Sequence, residues 1–548
     1  MTYASLISRD LAHANKINRA HFEKGIQNLN CTSISHPLRI DAIDLEHGTL
    51  GLTLCPGKKG EAVHGPPWDR DLTTDFDAIE RWGADALVTL IEDREFRILQ
   101  ISDFATEVER RPLRWFHLPI RDLSIPDDAF ERKWDHVGKE LLRLLASGGR
   151  VVVHCRGGLG RAGLLAARIL IDLGWKPDPA IQTVRKARPG AIETAAQSDY
   201  LNRRPARRIQ ASLLGGAMGD SLGAEIEFWN LDQIRARFPG GLNELPPHDG
   251  ITGAITDDTQ MTLFTAEGLL RAHVRQIGKG ICHAPSVVHH ALLRWLDTQG
   301  SPVGTNIDKE IGLVADARLR VRRAPGSTCL SALRSARHFG DLPHNDSKGC
   351  GTIMRVAPVA FAVERQYVRN LAIETSELTH GHVTGKLAAA AWAELLTDVR
   401  NGRDLEATAR DLAVEIRSLP GGDETAAAML SALEAPRNGS PETVETLGGG
   451  WIAEEALAIA LYACLAAESL EDGLRCAVTH SGDSDSTGAI AGNMLGLLYP
   501  GETLTHRWAE QIECADLIEQ IAEDLAAALE WTESNLNEGR IFERYPGW

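Results

Sequence analysis

The chain has 548 residues, with 58 basic against 75 acidic side chains and a formal charge of −17. That surplus of acid argues against a protein whose main task is to hold nucleic acid or an anionic membrane, because phosphate backbones reward clustered Lys and Arg. At 43% hydrophobic and 24% charged residues, the composition is that of a soluble globular protein with room for roughly two to four domains.

The N-terminal stretch MTYASLISRDLAHANK has neither an unbroken apolar run nor a cleavage-like pattern, so secretion is not expected. No uncharged apolar segment reaches the roughly 18–20 residues a membrane-spanning helix needs. Up to about Tyr200, short apolar runs alternate with helical periods. Ala86–Ile91, Trp115–Ile120 and Arg150–His154 read as strands, and Ala129–Leu145 and Ala162–Leu173 read as helices. This part is expected to be α/β, with a central, largely parallel sheet flanked by helices. The basic, proline-interrupted segment Asn202–Arg208 marks the expected junction between domains 1–205 and 206–548.

Beyond that point the texture changes to long Ala- and Leu-rich amphipathic segments, such as Lys386–Val399, Asp423–Leu433 and Glu454–Ala467. An all-α bundle follows from them. The charge divides along the same line. Residues 1–205 hold 29 basic and 28 acidic side chains, whereas 206–548 hold 29 and 47. Two helical segments carry glycine at every fourth position, Gly215, Gly219 and Gly223 in one and Gly488, Gly492 and Gly496 in the other. Glycine inside a helix costs about 1 kcal/mol relative to alanine, so each stripe is expected to face another backbone at close range. The nine cysteines are odd in number and form no CxxC pair, which fits reduced thiols in the cytoplasm. Eight are expected to be small core side chains, Cys155 being the exception.

Cys155 follows the strand Val151–His154, and Arg156, Gly157, Gly158, Leu159, Gly160 and Arg161 lead straight into a helix. A glycine-rich loop at a helix N-terminus turns backbone N–H groups inward and adds partial positive charge. Both effects favour a bound phosphate and a reactive thiolate near neutral pH. Arg161 offers a fork of donors for two phosphoryl oxygens. A proton donor for the leaving oxygen is also required. Asp122, in the loop after His117–Ile120, is the candidate, with Asp127 and Asp128 behind it.

These residues resemble the dual-specificity branch of the cysteine phosphatases, and most of all the CDK-inhibitor-3-like (kinase-associated) phosphatases. The resemblance covers about 50–200, including Leu54–Gly57, Trp68–Leu72, His117–Asp122, the cysteine loop and Gly190–Thr194. It implies that Cys155 is the nucleophile, Arg161 the phosphate clamp, Asp122 the general acid and Gln197 a water-orienting group, with no cofactor. Many relatives carry Ser or Thr after the arginine. Here Ala162 stands there, which implies slower breakdown of a phosphocysteine.

Two clusters of hard oxygen donors lie far apart in the second half. Thr256, Asp257 and Asp258 start one amphipathic helix, and Asp483, Asp485 and Ser486 open another. Helix capping and binding of one or two Mg2+- or Mn2+-like ions both account for such residues. The pairing resembles the ADP-ribosylglycohydrolase family over about 209–505, through Gly215–Gly223, Glu227, Thr256–Thr259, Gly349–Pro358, Leu378–His380, Gly449–Trp451 and Ser481–Gly496. The resemblance implies a two-ion centre on Thr256, Asp257, Asp258, Asp483, Asp485 and Ser486, and a role for Glu227 in cleaving the ribosyl bond. It also puts Gly349, Gly351, Thr352, Met354, Arg355 and His380 at the ADP-ribose, with Cys350 where the family usually has Asn. His289, His290 and His382 fit no ligand spacing, and Trp451 reads as a core aromatic. Acids outside the proposed centre are expected on solvated helix faces.

The expectation is a bifunctional hydrolase acting on an ADP-ribosylated protein or small molecule and on a phosphorylated one. The alternative is a regulatory binding protein that recognises phosphate and ADP-ribose without turnover.

Overall fold

The computed structural model describes residues 30–62, 65–538 and 540–547, so the reading of the N-terminal stretch lies outside it. The chain divides into two compact units. The first comprises the described residues up to Pro126 together with Arg143–Ala167 and Ile181–Ser198. The second comprises Asp127–Leu142, Arg168–Ala180 and Asp199–Trp548.

The first unit is built on a five-stranded sheet of β1 (Asp41–Asp44), β2 (Thr49–Leu54), β3 (Ala86–Thr89), β4 (Arg114–His117) and β5 (Arg150–Cys155). Its order is β1-β2-β5-β3-β4, antiparallel between β1 and β2 and parallel elsewhere. β5 lies in the middle, which is why Val151, Val152 and Val153 form an unbroken apolar run and are wholly buried. In register, Leu54 of β2 pairs with Cys155 and Thr89 of β3 with His154. β5 therefore delivers Cys155 to the carboxyl edge of the sheet, where helix α1 (Gly160–Asp172) begins five residues later. Ligand sites of parallel sheets collect at that edge.

The second unit is helical. Among its described residues, strand-type pairing is confined to the isolated bridges His248–Ile251 and Gly349–Ile452. Its principal helices include α2 (Ala195–Gly223, from Asp199 onward), α3 (Asp257–Lys279), α4 (Val383–Arg400), α5 (Ala453–Ala466) and α6 (Ser484–Leu498). Among the described residues, no helix is long and apolar enough to cross a membrane. The basic segment Asn202–Arg208 is part of α2, with Pro205 inside the helix. Its Arg204 and Arg208 are buried, and Arg204 pairs with Asp172 at 2.9 Å. Arg168 adds a pair with Glu131 at 2.7 Å. Burial pushes the Glu131 carboxyl up, but Arg168 and Arg204 outweigh it and hold it at about 2. The basic stretch is thus an internal ion-pair network.

The two glycine stripes face each other. A Cβ on Gly215 would strike the Gly492 carbonyl, one on Gly219 the Gly488 carbonyl, and one on Gly223 the Ser484–Asp485 peptide. The stripes run in opposite directions, so α2 and α6 are antiparallel along this seam. Polar bonds reinforce it: Ser212 Oγ donates to the Asn493 carbonyl at 2.7 Å, and Asn493 Nδ2 donates to the Ser212 carbonyl at 3.0 Å. Gly492→Val should destabilise the protein by about 3 kcal/mol or more, because neither backbone can retreat. Gly240→Ala, whose new methyl meets only ordinary contact, should change stability by less than about 0.5 kcal/mol. Urea unfolding of the two variants checks this, and equal midpoints would refute it.

Candidate active sites

Cys155 is buried at the end of β5, and the following turn puts Gly158 at φ +72°, pressed against the Thr53 backbone. A side chain there would be strained and obstructed. The Gly158 N–H donates to Cys155 Sγ at 3.2 Å, the inward aim expected of a phosphate loop. Arg156 and Gly157 are exposed, Leu159 is half-buried, and buried Gly160 packs against Glu193. Arg161, on the first turn of α1, is 1% exposed. Its guanidinium grips Glu95 with both arms, Nη1 to Oε2 at 2.5 Å and Nη2 to Oε1 at 3.0 Å. Nη1 also donates to the Ile120 carbonyl at 3.1 Å, and Nη2 lies 3.1 Å from Asp122 Oδ1. Burial raises the Glu95 carboxyl, but bonds from Arg161 and the Glu92 N–H bring it below its ordinary range.

Asp122 is 48% exposed, so the structure brings Cys155, Arg161 and a solvent-reaching carboxylate to one edge. Asp127 instead caps the next helix, accepting from the Phe130 N–H at 2.8 Å. Gln197 is buried, accepts from the Glu193 N–H at 2.9 Å and donates to the Ser124 carbonyl at 3.2 Å. Three supporting residues escaped the sequence reading. Glu95 orients Arg161. Arg188 donates to the Gly157 carbonyl at 3.1 Å while paired with Asp41 at 2.6 Å. Lys58 reaches the Arg156 carbonyl at 3.4 Å, and burial lowers its ammonium to about 8. None shares a sequence motif with the loop.

In the second unit, the two oxygen clusters converge. Glu227, Asp483 and Asp485 each offer a ligand atom within 4.8 Å of the others. Asp258 lies near enough to Asp483 and Asp485 for their charges to repel its own. Asp257 accepts from the Gly326 N–H at 3.2 Å. Thr256 caps α3, its Oγ1 accepting from the Asp258 N–H at 3.3 Å. Asp220 was not anticipated. It accepts from the Thr256 N–H at 3.0 Å and the Thr259 N–H at 3.2 Å, locking the turn that carries Asp257 and Asp258. Burial, then neighbouring carboxylates, pushes Glu227 up to about 8. The same causes lift Asp257, Asp258 and Asp485 above their ordinary range.

Other acids of this half are buried too, which corrects the expectation that they lie on solvated faces. Glu267, Glu394, Asp398, Glu454 and Asp524 are buried, and each has a basic partner: Arg271 and Arg294, Arg365 and Arg369, Arg365, Lys348, and Arg544. Asp220, Glu227, Asp257, Asp258, Asp483 and Asp485 are equally buried. Among the described residues no ion pair involves any of the six. Asp258 Oδ1 is buried without a hydrogen bond. Isolated buried charge is costly, and this donor set of carboxylate and hydroxyl oxygens fits a hard divalent cation.

The segment Gly349–Arg355 borders the cluster. Met354 Sδ lies 3.9 Å from Ser486 Oγ. Thr352 donates to the Gly385 carbonyl at 2.6 Å, and Arg355 is buried against Thr379 Oγ1 at 2.8 Å. His380 sits beside Gly349 and Gly351, and burial lowers its imidazole to about 3. His289 accepts from the Gly340 N–H at 2.7 Å and His382 caps α4 at Thr384, both structural as expected. Two expectations fail. Trp451 is 44% exposed and stacks on Phe228, which is 71% exposed, at 5.5 Å between ring centroids. The glycines on its N-terminal side explain this: Gly448 at φ +122° and Gly450 at φ +80° turn the chain outward. Cys350 is no core side chain, since its Sγ lies 3.0 Å from Asp483 Oδ2.

Comparison with known proteins follows the same division. The family model described as ADP-ribosylglycohydrolase matches residues 201–535, and the one described as Swiss Army Knife protein, DSP-PTPase phosphatase domain, matches 74–201. Human protein tyrosine phosphatase type IVA 3 is 31% identical over 26% of this chain and 78% of its own length. Human cyclin-dependent kinase inhibitor 3 is 29% identical over 28% and 70% respectively. ADP-ribosylarginine hydrolase Tri1 of Pseudomonas putida (strain GB-1) is 25% identical over 58% of this chain and 77% of its own length. The chain belongs to the ADP-ribosylglycohydrolase family and carries a dual-specificity phosphatase domain ahead of the glycohydrolase domain.

Proposed function

We propose that the protein is a bifunctional hydrolase of the cytoplasm, cleaving ADP-ribose from a modified acceptor with residues 206–548 and a phosphomonoester with residues 1–205. The carrying observation is the meeting of Glu227, Asp483 and Asp485 within 4.8 Å beside Asp257 and Asp258, all buried and, among the described residues, in no ion pair with a basic side chain. Nine free thiols support the cytoplasmic reading.

In the second unit, Asp257, Asp258, Asp483 and Asp485, with the hydroxyls of Thr256 and Ser486, would hold two Mg2+ or Mn2+ ions. Such ions supply Lewis acidity and orient a ribose diol. Among the described residues Glu227 is the carboxyl of this cluster without a hydrogen-bond partner, and with cations beside it to bring its raised carboxyl down it would take a proton from attacking water. Water adds across the bond from ribose C1 to the acceptor, hydroxide to carbon and proton to the leaving atom. The segment Gly349, Gly351, Thr352, Met354, Arg355 and His380 forms the ADP-ribose side. Likeness to an ADP-ribosylarginine hydrolase makes an arginine N-glycoside the first substrate to try.

In the first unit, the Cys155 thiolate attacks phosphorus, forming an S–P bond as the ester P–O bond breaks. Asp122 gives its proton to the leaving oxygen. The backbone of Arg156–Gly160 and the Arg161 fork hold the phosphoryl oxygens. Water positioned by Gln197 then attacks phosphorus, breaking S–P and releasing phosphate. Glu95 acts through Arg161 and is a positioning residue.

Hydrolysis of p-nitrophenyl phosphate should vanish in Cys155→Ser, and persistence would remove Cys155 from the mechanism. Glu95→Gln, which keeps the thiol, should lower kcat/KM about 100-fold through a misplaced Arg161, and an unchanged value would refute that role. ADP-ribose release from a mono-ADP-ribosylated arginine peptide, with a serine peptide in parallel, should stop in EDTA and return with Mg2+ or Mn2+. Undiminished release in EDTA would overturn metal dependence. No release from either peptide with metal present would count against the glycohydrolase reading.

A further inference from the structure

The cysteine at the acidic cluster is not accounted for by any role above. Cys350 lies at the start of a short turn, Cys350–Thr352, and its N–H donates to the Trp451 carbonyl at 3.2 Å. The adjoining bridge between Gly349 and Ile452 ties the same segment to the start of α5. Both anchors aim the side chain at the mouth of α6. Its Sγ is 3.0 Å from Asp483 Oδ2 and 3.6 Å from Ser486 Oγ. Those two oxygens belong to the set that would hold an ion. Asp258, another of that set, has a buried Oδ1 with no hydrogen-bond partner.

The spacings suit a hydrogen-bonded thiol and a metal-bound sulfur alike, and ion binding separates the two. A sulfur about 2.3 Å and an oxygen about 2.1 Å from one ion, at angles from 90° to 109°, stand about 3.1–3.6 Å apart. Of the two spacings found here, 3.6 Å falls in that range and 3.0 Å just below it. An ion held by Asp483 and Ser486 would therefore have Sγ beside it.

The geometry points to Cys350 as a sulfur ligand of the centre, making it a mixed thiolate–carboxylate site that favours softer divalent ions over Mg2+. This rests on the metal reading given above. When the ion binds, the metal–sulfur bond forms as the S–H bond breaks, and the proton leaves to solvent. Thiolate donors select zinc- and cadmium-like ions, whereas an all-oxygen set suits Mg2+. Nothing in the oxygen ligands needs to change for this preference to appear.

The test uses the full chain carrying Cys155→Ser, stripped with EDTA, so that the phosphatase thiol contributes no signal. Titration with Cd2+ should produce an ultraviolet thiolate-to-cadmium charge-transfer band that saturates with the calorimetric stoichiometry. Adding Cys350→Ser should abolish the band and weaken Cd2+ binding at least about 10-fold, while Mg2+ affinity stays within about 3-fold. Cys350→Ala is the companion variant, and circular dichroism confirms that each is folded. Calorimetric Cd2+ binding without the band overturns the sulfur ligand while leaving an oxygen centre standing. An unchanged band in both Cys350 variants also overturns it. Absence of calorimetric binding by Cd2+, Mg2+ and Mn2+ alike sinks the metal reading and this inference with it. Cys350→Ala carries the comparison where Cys350→Ser misfolds, because only loss of the band in a folded variant assigns it to Cys350 among the remaining thiols.

Discussion

Everything in the glycohydrolase unit depends on how closely α2 and α6 approach. Ordinary helices pack with axes 8–10 Å apart because side chains separate them. Here Gly215, Gly219 and Gly223 meet Gly492, Gly488 and the Ser484–Asp485 peptide with no side chain between. The contact ends where the chemistry begins: Asp220 lies between the last two glycines of α2, and Glu227 follows Gly223 by one turn. On the other helix, Asp483 and Asp485 precede Gly488. A methyl group in the seam would push Glu227 away from Asp485, and no rotamer could restore the distance. The six glycines cost helix stability, and what their close approach secures is a carboxylate triangle that side-chain packing could not bring together.

The two sites handle buried charge in opposite ways. In the phosphatase unit the demanding group is a cation, and both terminal nitrogens of Arg161 are held by Glu95, two carbonyl groups and Asp122, while its buried Nε has no partner. Those partners keep the guanidinium in one orientation, with Asp122 the exposed member that an incoming phosphate can displace. In the glycohydrolase unit the carboxylates have one another and no counter-charge. Such an arrangement destabilises the protein on its own, and a bound ion would turn it into a stabilising one. The first site is organised by its own side chains, and the second by backbone.

How much of this was legible depended on how local the cause was. The Cys155–Arg161 loop and its helix are contiguous, so strand, glycines and arginine could be read directly from the chain. The glycine stripes announced a close approach but not their partner, since periodicity constrains one helix at a time. Glu95 was invisible because its function lies in a contact to Arg161, 66 positions away, and glutamate in a short helix carries no signal of its own. Asp220 hid inside a glycine motif and acts through backbone N–H groups. Trp451 and Cys350 were misjudged for a shared reason. Composition says that Trp and Cys are usually buried, but both sit on the tie between Gly349–Cys350 and Trp451–Ile452 that rims the acidic cluster.

Net charge proves to be the wrong variable for the helical half. Its acidic excess was set down to solvated surface, yet buried acids occur through it, and most are paired. Glu394 alone is shared by Arg365 and Arg369, and Glu267 by Arg271 and Arg294. What distinguishes the functional carboxylates is neither number nor burial but the lack of a cation. Evolution of a hydrolytic centre in such a bundle need not add acid. It is enough to withhold the basic side chain that accompanies Glu267, Glu394, Asp398, Glu454 and Asp524.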